Sequence, residues 1–349
     1  MAKISESRLT KNLGKPKPKA YLTRILPEKG MKALQNLVDL KFWEGENAPP
    51  KKVIIEEARD VEILLSLLTD EIDAELMDAA PKLKLISQYA VGFDNIDVKA
   101  ATERGIYVTN TPGVLTETVA DFTFALLLAV ARRVVEGDRY VREGRWRVGW
   151  GPLIMTGSDV HGKTLGIIGL GRIGKAVALR AKGFGMRILY YDIYRDKRFE
   201  EENQVEYTDL ETLLRESDFV SLHTLLTPET RHMIGEKEFG MMKKTAYLIN
   251  TSRGAVVDQK ALYKALKEKT IAGAALDVFE KEPIDPGDPL LKLENVVLAP
   301  HAASASMETR TRMALMVAEN VEAFLKGRRP PTLVNPEVLE INPLKPETK

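Results

Sequence analysis

Three ionisable residues in this 349-residue chain carry the side chains that hydride chemistry on a 2-keto acid needs. Arg253 lies in Asn250-Thr251-Ser252-Arg253-Gly254, Glu282 in Asp277-Val278-Phe279-Glu280-Lys281-Glu282-Pro283, and His301 in Ala299-Pro300-His301-Ala302-Ala303-Ser304. Each follows a stretch that reads as a β-strand, and open α/β sheets bind ligands at the carboxyl ends of their strands. An arginine fork holds a carboxylate and polarises the adjacent carbonyl. A histidine delivers a proton near neutrality. A carboxylate beside it holds the imidazole and favours its protonated form. Taken singly, Arg253 also suits a strand cap and Glu282 a loop charge. His223 is the rival proton donor, while His161 and His232 sit in a linker and a polar loop.

A second constellation precedes these three. Gly169-Leu170-Gly171-Arg172-Ile173-Gly174 follows the apolar run Leu165–Ile168 and opens the helix-like stretch Lys175–Arg180. Strand, tight turn and helix are the context a dinucleotide requires, with the pyrophosphate at the helix N-terminus. Gly169 permits the turn, Gly171 lets backbone approach the phosphates, and Gly174 lets helix and strand pack closely. Asp192 ends the next strand, about 20 residues on, where a carboxylate hydrogen-bonds the adenosine ribose. It would repel a 2′-phosphate, so NAD(H) is expected over NADP(H), with Arg195 nearby as the counterweight.

These residues need a scaffold on both sides. From Lys19 to Gly113 strands and helices alternate: strands at Ala20–Leu26, Val61–Leu68, Leu83–Ser87 and Ile106–Asn110, helices at Met31–Leu40 and Asp73–Ala80. Alternation of this kind means a parallel sheet covered by helices. Thr116–Glu143 reads as one long helix, apolar nearly all round, hence buried on more than one side. Trp146 and Trp150 follow it, as core packing or as pocket walls. From Leu165 to Ala299 the alternation resumes with five or six parallel strands in a doubly wound sheet. The helix Met307–Lys326 comes last and is placed to return to the first domain.

Bulk properties exclude several classes. Hydrophobic residues make up 44% and charged residues 29%, typical of a globular protein, and the net charge of +1 gives no case for nucleic acid or a membrane surface. With no cysteine there is no disulfide, thiolate nucleophile or cysteine metal site. No metal is expected. The longest apolar stretch, Phe122–Ala131, is half a membrane span. Met1–Lys19 is basic and polar, so it reads as a flexible tail and not a secretory signal. The cytoplasm is the expected compartment.

From about Leu64 to Asn335 the chain resembles the D-isomer-specific 2-hydroxyacid dehydrogenase family, most closely its glyoxylate reductases. The resemblance rests on Tyr89–Asp97, Val108–Leu115, Gly169–Gly174, Asn250–Gly254, Asp277–Pro283 and Pro300–Ser304. It implies that Arg253, Glu282 and His301 are catalytic, with His301 as proton donor, and that backbone N–H groups around Val91 and Gly92 hold the substrate carboxylate. It implies that Arg172, Ile173, Asp192, Thr224, Thr251, Asp277 and Ala303 line the cofactor groove. Leu225 stands where the family often has Pro, beside Thr224. The implied fold is α/β, with two doubly wound parallel-sheet domains. One is a flavodoxin-like, discontinuous substrate domain (1–115, its first 19 residues the tail, completed by 304–349). The other is a Rossmann NAD-binding domain (116–303), and the active site is the cleft between them. The implied partners are a small 2-keto or 2-hydroxy acid and a second copy of the chain, joined through the Thr116–Glu143 region. Two readings stay open beside glyoxylate or hydroxypyruvate reduction. One is D-3-phosphoglycerate dehydrogenase, although Phe93-Asp94-Asn95 offers a phosphate no basic side chain. The other is a non-enzymatic NAD-sensing scaffold like the corepressors that resemble this family.

Overall fold

A computed structural model describes residues 16–345. The chain divides into two compact units, Met1–Thr111 with Thr311–Lys349, and Pro112–Arg310.

The first unit runs β1 (Lys19–Leu22), α1 (Glu28–Leu37), β2 (Asp39–Phe42), α2 (Lys51–Ala58), β3 (Ile63–Ser66), α3 (Ala74–Ala79), β4 (Leu85–Gln88), α4 (Val98–Glu103) and β5 (Tyr107–Thr109). All pairings are parallel, in the order β2-β1-β3-β4-β5. That is the flavodoxin-like order. β3 and β4 are buried along their whole length, which is why they read as apolar runs without alternation. The C-terminal segment completes this unit. Val334 N–H donates to Val108 O at 2.8 Å, and the buried Asn335 accepts from Val108 N–H at 2.8 Å while donating to Ile106 O and Thr102 Oγ1 at 2.9 Å.

The second unit begins with α5 (Thr116–Ala131) and α6 (Val134–Arg142). It continues as β6 (Thr164–Ile168), α7 (Arg172–Gly183), β7 (Arg187–Tyr191), α8 (Lys197–Asn203), β8 (Glu206–Tyr207), α9 (Leu210–Glu216), β9 (Phe219–Leu222) and α10 (Glu236–Met241). β10 (Tyr247–Asn250), α11 (Gln259–Lys267), β11 (Gly273–Leu276) and β12 (Val296–Leu298) complete the sheet; α12 (Met307–Leu325) starts in this unit and continues into the first, to which α13 (Val338–Ile341) belongs. The seven strands are parallel in the order β12-β11-β10-β9-β6-β7-β8, so β6 and β9 flank the point where the winding reverses. Numbered within the unit, this is the Rossmann order with a seventh strand added at one edge. Phe124, Leu127 and Val130 of α5 pack with Ala176, Val177 and Ala181 of α7 and with Leu165 and Ile167 of β6 in one core.

Several sequence expectations change here. The helix expected over Thr116–Glu143 is two helices: the Ala131 carbonyl accepts the Ser158 N–H at 2.8 Å, Arg133 takes a left-handed φ of 53°, and Arg133 Nε pairs with Glu136 at 2.8 Å. The apolar character of α5 is explained by burial inside its own unit; α6 buries no residue. The helix expected over Met31–Leu40 stops at Leu37, because Asp39–Phe42 forms the edge strand β2. The second sheet has seven strands instead of five or six; β8 is two exposed residues, too short for a pattern. The tail expected over 1–19 ends earlier, since Lys19 opens β1, and 1–15 lies outside the described residues. Trp146 and Trp150 are exposed, so they do not pack the core of this chain. The units divide after Thr111 and Arg310, against the expected 115 and 303. Among the described residues no helix is long and apolar enough to cross a membrane.

Asn335→Ala is expected to destabilise the chain by about 1–3 kcal/mol, because it strands a buried N–H and a buried carbonyl on β5 and its approach. Denaturant titration checks this; an unchanged midpoint would mean the C-terminal segment is held by other contacts.

Candidate active site

The dinucleotide fingerprint takes the geometry its spacing requires. Gly169 ends β6 with φ +94°, a conformation open to glycine. A Cβ on Gly174 would collide with the Gly169 carbonyl oxygen, whereas one on Gly171 would project into open space. Arg172 and Ile173 open α7, whose N-cap residue, Gly171, offers no side-chain cap. The first N–H groups of this helix are therefore available to an anion. Asp192 closes the turn from the other side: Oδ2 accepts the Leu170 N–H at 2.7 Å and Oδ1 the Tyr194 N–H at 3.0 Å. An open groove of about 570 Å³ runs past Leu170, Gly171, Lys175, Asp192 and Tyr194. Arg195 also lines this groove, paired with Glu200 at 2.8 Å and stacked over Tyr207.

Two sequence-assigned groove residues behave differently from each other. Thr224, next to the reversal point after β9, has a buried Oγ1 with no hydrogen-bond partner. A buried hydroxyl without a partner calls for a ligand or water. Thr251 Oγ1 instead pairs with Thr123 Oγ1 of α5 at 2.9 Å. The glycine cradle, the free helix terminus, the acidic strand end and the orphan hydroxyl together fit a dinucleotide.

Asp277, at the end of β11, has no exposed surface. Its Oδ1 accepts the Ala302 N–H at 2.7 Å and its Oδ2 the Ala303 N–H at 2.8 Å, and its backbone carbonyl accepts the His301 N–H at 2.9 Å. Burial raises its carboxyl above the ordinary range, against the pull of those two donors. His301 sits in this clamp with φ +52°, an uncommon conformation for a side chain of its size. Sequence reasoning gave Asp277 to the cofactor and missed that it holds the histidine loop; an acid ending a strand carries no mark of its partner.

His301 Nδ1 meets Glu282 Oε2 at 2.6 Å, and Glu282 Oε1 accepts the Phe279 N–H at 3.0 Å. Burial pushes the Glu282 carboxyl up, but His301, the Phe279 N–H and nearby Arg253 outweigh it and hold it below the usual carboxylate range. Glu282 is therefore an ionised acceptor. It fixes Nδ1 as the protonated nitrogen facing it and leaves Nε2 for other chemistry. Arg253 follows β10, on a loop tied by Asn250: Asn250 Nδ2 donates to Arg253 O at 2.9 Å, and Asn250 Oδ1 accepts the Ser252 N–H at 3.0 Å. An Asn closing a strand is prone to an Asx-turn, a signal that sequence reading could have used.

The rival histidine does not fit a proton donor. His223 pairs with Ser221 Oγ at 2.8 Å, and burial pushes its pKa down to about 3, so it stays neutral. His232 pairs with Glu280 at 2.9 Å. Val91 and Gly92 belong to the first unit, on the loop after β4. Among the described residues no cluster of His, Cys, Asp or Glu could hold a metal ion.

Comparison with known proteins places the chain in a family. The family model for the D-isomer specific 2-hydroxyacid dehydrogenase NAD binding domain matches residues 124–303. A glyoxylate reductase of Korarchaeum cryptofilum is 68% identical over 94% of this chain and 98% of its own length. A crystal structure of a Thermus thermophilus protein superposes with a TM-score of 0.86 at 46% identity, covering 90% of this chain and 99% of that one. The NADPH-dependent glyoxylate/hydroxypyruvate reductase of Sinorhizobium meliloti, solved with NADP and malonate, gives a TM-score of 0.83 at 33% identity over 95% of this chain and all of that one.

Asp277→Ala is expected to speed amide exchange at Ala302 and Ala303 by at least about tenfold, since both N–H groups lose their acceptor. Hydrogen exchange read by NMR or mass spectrometry decides it; unchanged protection there would remove Asp277 as the clamp.

Proposed function

The chain belongs to the D-isomer-specific 2-hydroxyacid dehydrogenase family, and on that premise we propose that it reduces a small 2-keto acid, glyoxylate or hydroxypyruvate, to the 2-hydroxy acid with NADH. The observation that carries the reading is the 2.6 Å contact between His301 Nδ1 and Glu282. With Nδ1 engaged, Nε2 is the nitrogen that delivers a proton to the substrate carbonyl oxygen. Arg253 holds the carboxylate and polarises the carbonyl. The family resemblance assigns the backbone N–H groups of Val91 and Gly92 to a substrate carboxylate. The nicotinamide, when bound, supplies the hydride to the carbonyl carbon. One keto acid, one NADH and one proton give one hydroxy acid and one NAD⁺.

The cofactor would be held by Gly169, Gly171, Arg172, Ile173 and Gly174 at the pyrophosphate, by Asp192 at the ribose, and by Thr224, Thr251 and Ala303 along the groove, with the buried Asp277 acting through its grip on the Ala302 and Ala303 N–H groups. NADH is favoured because the Asp192 carboxylate would repel a 2′-phosphate. The protein is a homodimer through the Thr116–Glu143 region, α5 and α6. Its support is an exposed apolar run: Val134, Val141, Trp150 and Leu153 all lie largely open, Leu153 at 83%. Exposed apolar side chains of this kind are what a second copy would cover.

A steady-state panel of glyoxylate, hydroxypyruvate, pyruvate and phosphohydroxypyruvate with NADH and NADPH tests the function. Turnover is expected to be best with the first two and NADH; preference for the phosphorylated acid, or none at all, would refute the reading. Asp192→Ala is expected to raise the NADPH-to-NADH ratio of kcat/KM by about tenfold or more, and a fixed ratio would show that Asp192 does not read the ribose. Sedimentation is expected to give twice the mass of one chain, against one for a monomer.

A further inference from the structure

The first unit holds a buried polar cluster beneath the loop after β4. Gln88, the last residue of β4, has no exposed surface. Its Oε1 accepts from Ser66 Oγ at 2.6 Å, and its Nε2 donates to Asn95 Oδ1 at 2.7 Å and to Gly92 O at 3.3 Å. Asn95 Nδ2 donates in turn to Leu67 O at 3.1 Å and to Asp70 O at 2.6 Å. Every polar atom of both carboxamides is satisfied. A buried carboxamide without such partners would be costly, so the site is built to hold these two side chains in one arrangement.

What they hold is the loop between them. The carbonyls of three successive residues are tied back to protein: Ala90 O by Thr111 N–H at 2.7 Å, Val91 O by Asn110 Nδ2 at 2.8 Å, and Gly92 O by Gln88. In a trans peptide the carbonyl and the N–H of the following residue point opposite ways. Fixing these carbonyls therefore turns the N–H groups of Val91, Gly92 and Phe93 to the other side. Among the described residues the N–H groups of Val91 and Gly92 donate to nothing. Successive N–H groups aimed one way form an anion-binding nest.

We propose that Gln88, braced by Asn95, is a positioning residue for the substrate carboxylate. It touches no substrate; it sets the direction of the loop N–H groups through the Gly92 carbonyl. This rests on the reading that those N–H groups bind a 2-keto acid. A grip on the carboxylate is the same before and during hydride transfer, so loosening it raises KM and leaves kcat in place.

The test uses full-length wild type and Gln88→Met, which keeps volume and loses the hydrogen bonds. Gln88→Glu, which keeps size and the Ser66 bond but loses the donor to Gly92, serves if Gln88→Met does not fold. Three quantities are read: KM and kcat for glyoxylate, the Kd of oxamate (a carboxylate that cannot be reduced) on the NADH complex, and the Kd of NADH alone. Expected are rises of about tenfold in KM and oxamate Kd, with kcat within about threefold and NADH Kd within about twofold. A folded variant with unchanged KM and oxamate Kd overturns the proposal, as does an equal loss of NADH affinity. A wild type that binds oxamate without turning over refutes the catalytic reading alone, and the oxamate Kd of the variant then decides the role of Gln88. A wild type that does neither overturns both.

Discussion

The site depends on one buried carboxylate. Asp277 has no exposed surface, and its three acceptors take three consecutive N–H groups, those of His301, Ala302 and Ala303. Desolvation raises its carboxyl above the ordinary range, and the Ala302 and Ala303 N–H groups offset part of that cost. The loop it grips is held with His301 at φ +52°, and the imidazole meets Glu282. Without the clamp, the left-handed residue would relax and the His301–Glu282 contact would lose its geometry. Catalytic groups work only when held to within a fraction of an ångström, and here the holding is done by backbone donors.

The same device recurs in both units. In the second, Asp192 ties the turn after β6 through the Leu170 N–H, and Asn250 ties the Arg253 loop. In the first, Gln88 and Asn95 tie the loop after β4. Asp192, Asn250 and Gln88 each lie at or just beyond the carboxyl end of a strand and bond a backbone group of a loop. The strands supply a rigid frame, and these short contacts transfer its order to irregular segments.

Much of this was legible in the sequence. The strand–glycine–helix unit at Leu165–Arg180 and the acid at Asp192 declare themselves because a phosphate site demands those residues in that order. Arg253, Glu282 and His301 stand out by type and by position after strands. What escaped was non-local or short. The edge strands β2 and β8 are four and two residues long, with partly exposed patterns. The break after Ala131 is made by Ser158, far along the chain. Asp277 and Gln88 carry no signal in their neighbours, since their partners are set by the sheet and not by spacing.

His301, oriented by Glu282, is the proposed proton donor in keto-acid reduction. Its most direct test is the kcat of His301→Ala with glyoxylate and NADH, alongside NADH affinity from fluorescence. The account expects kcat to fall by about 10²–10⁴-fold with NADH affinity intact; turnover near that of the wild type would contradict it.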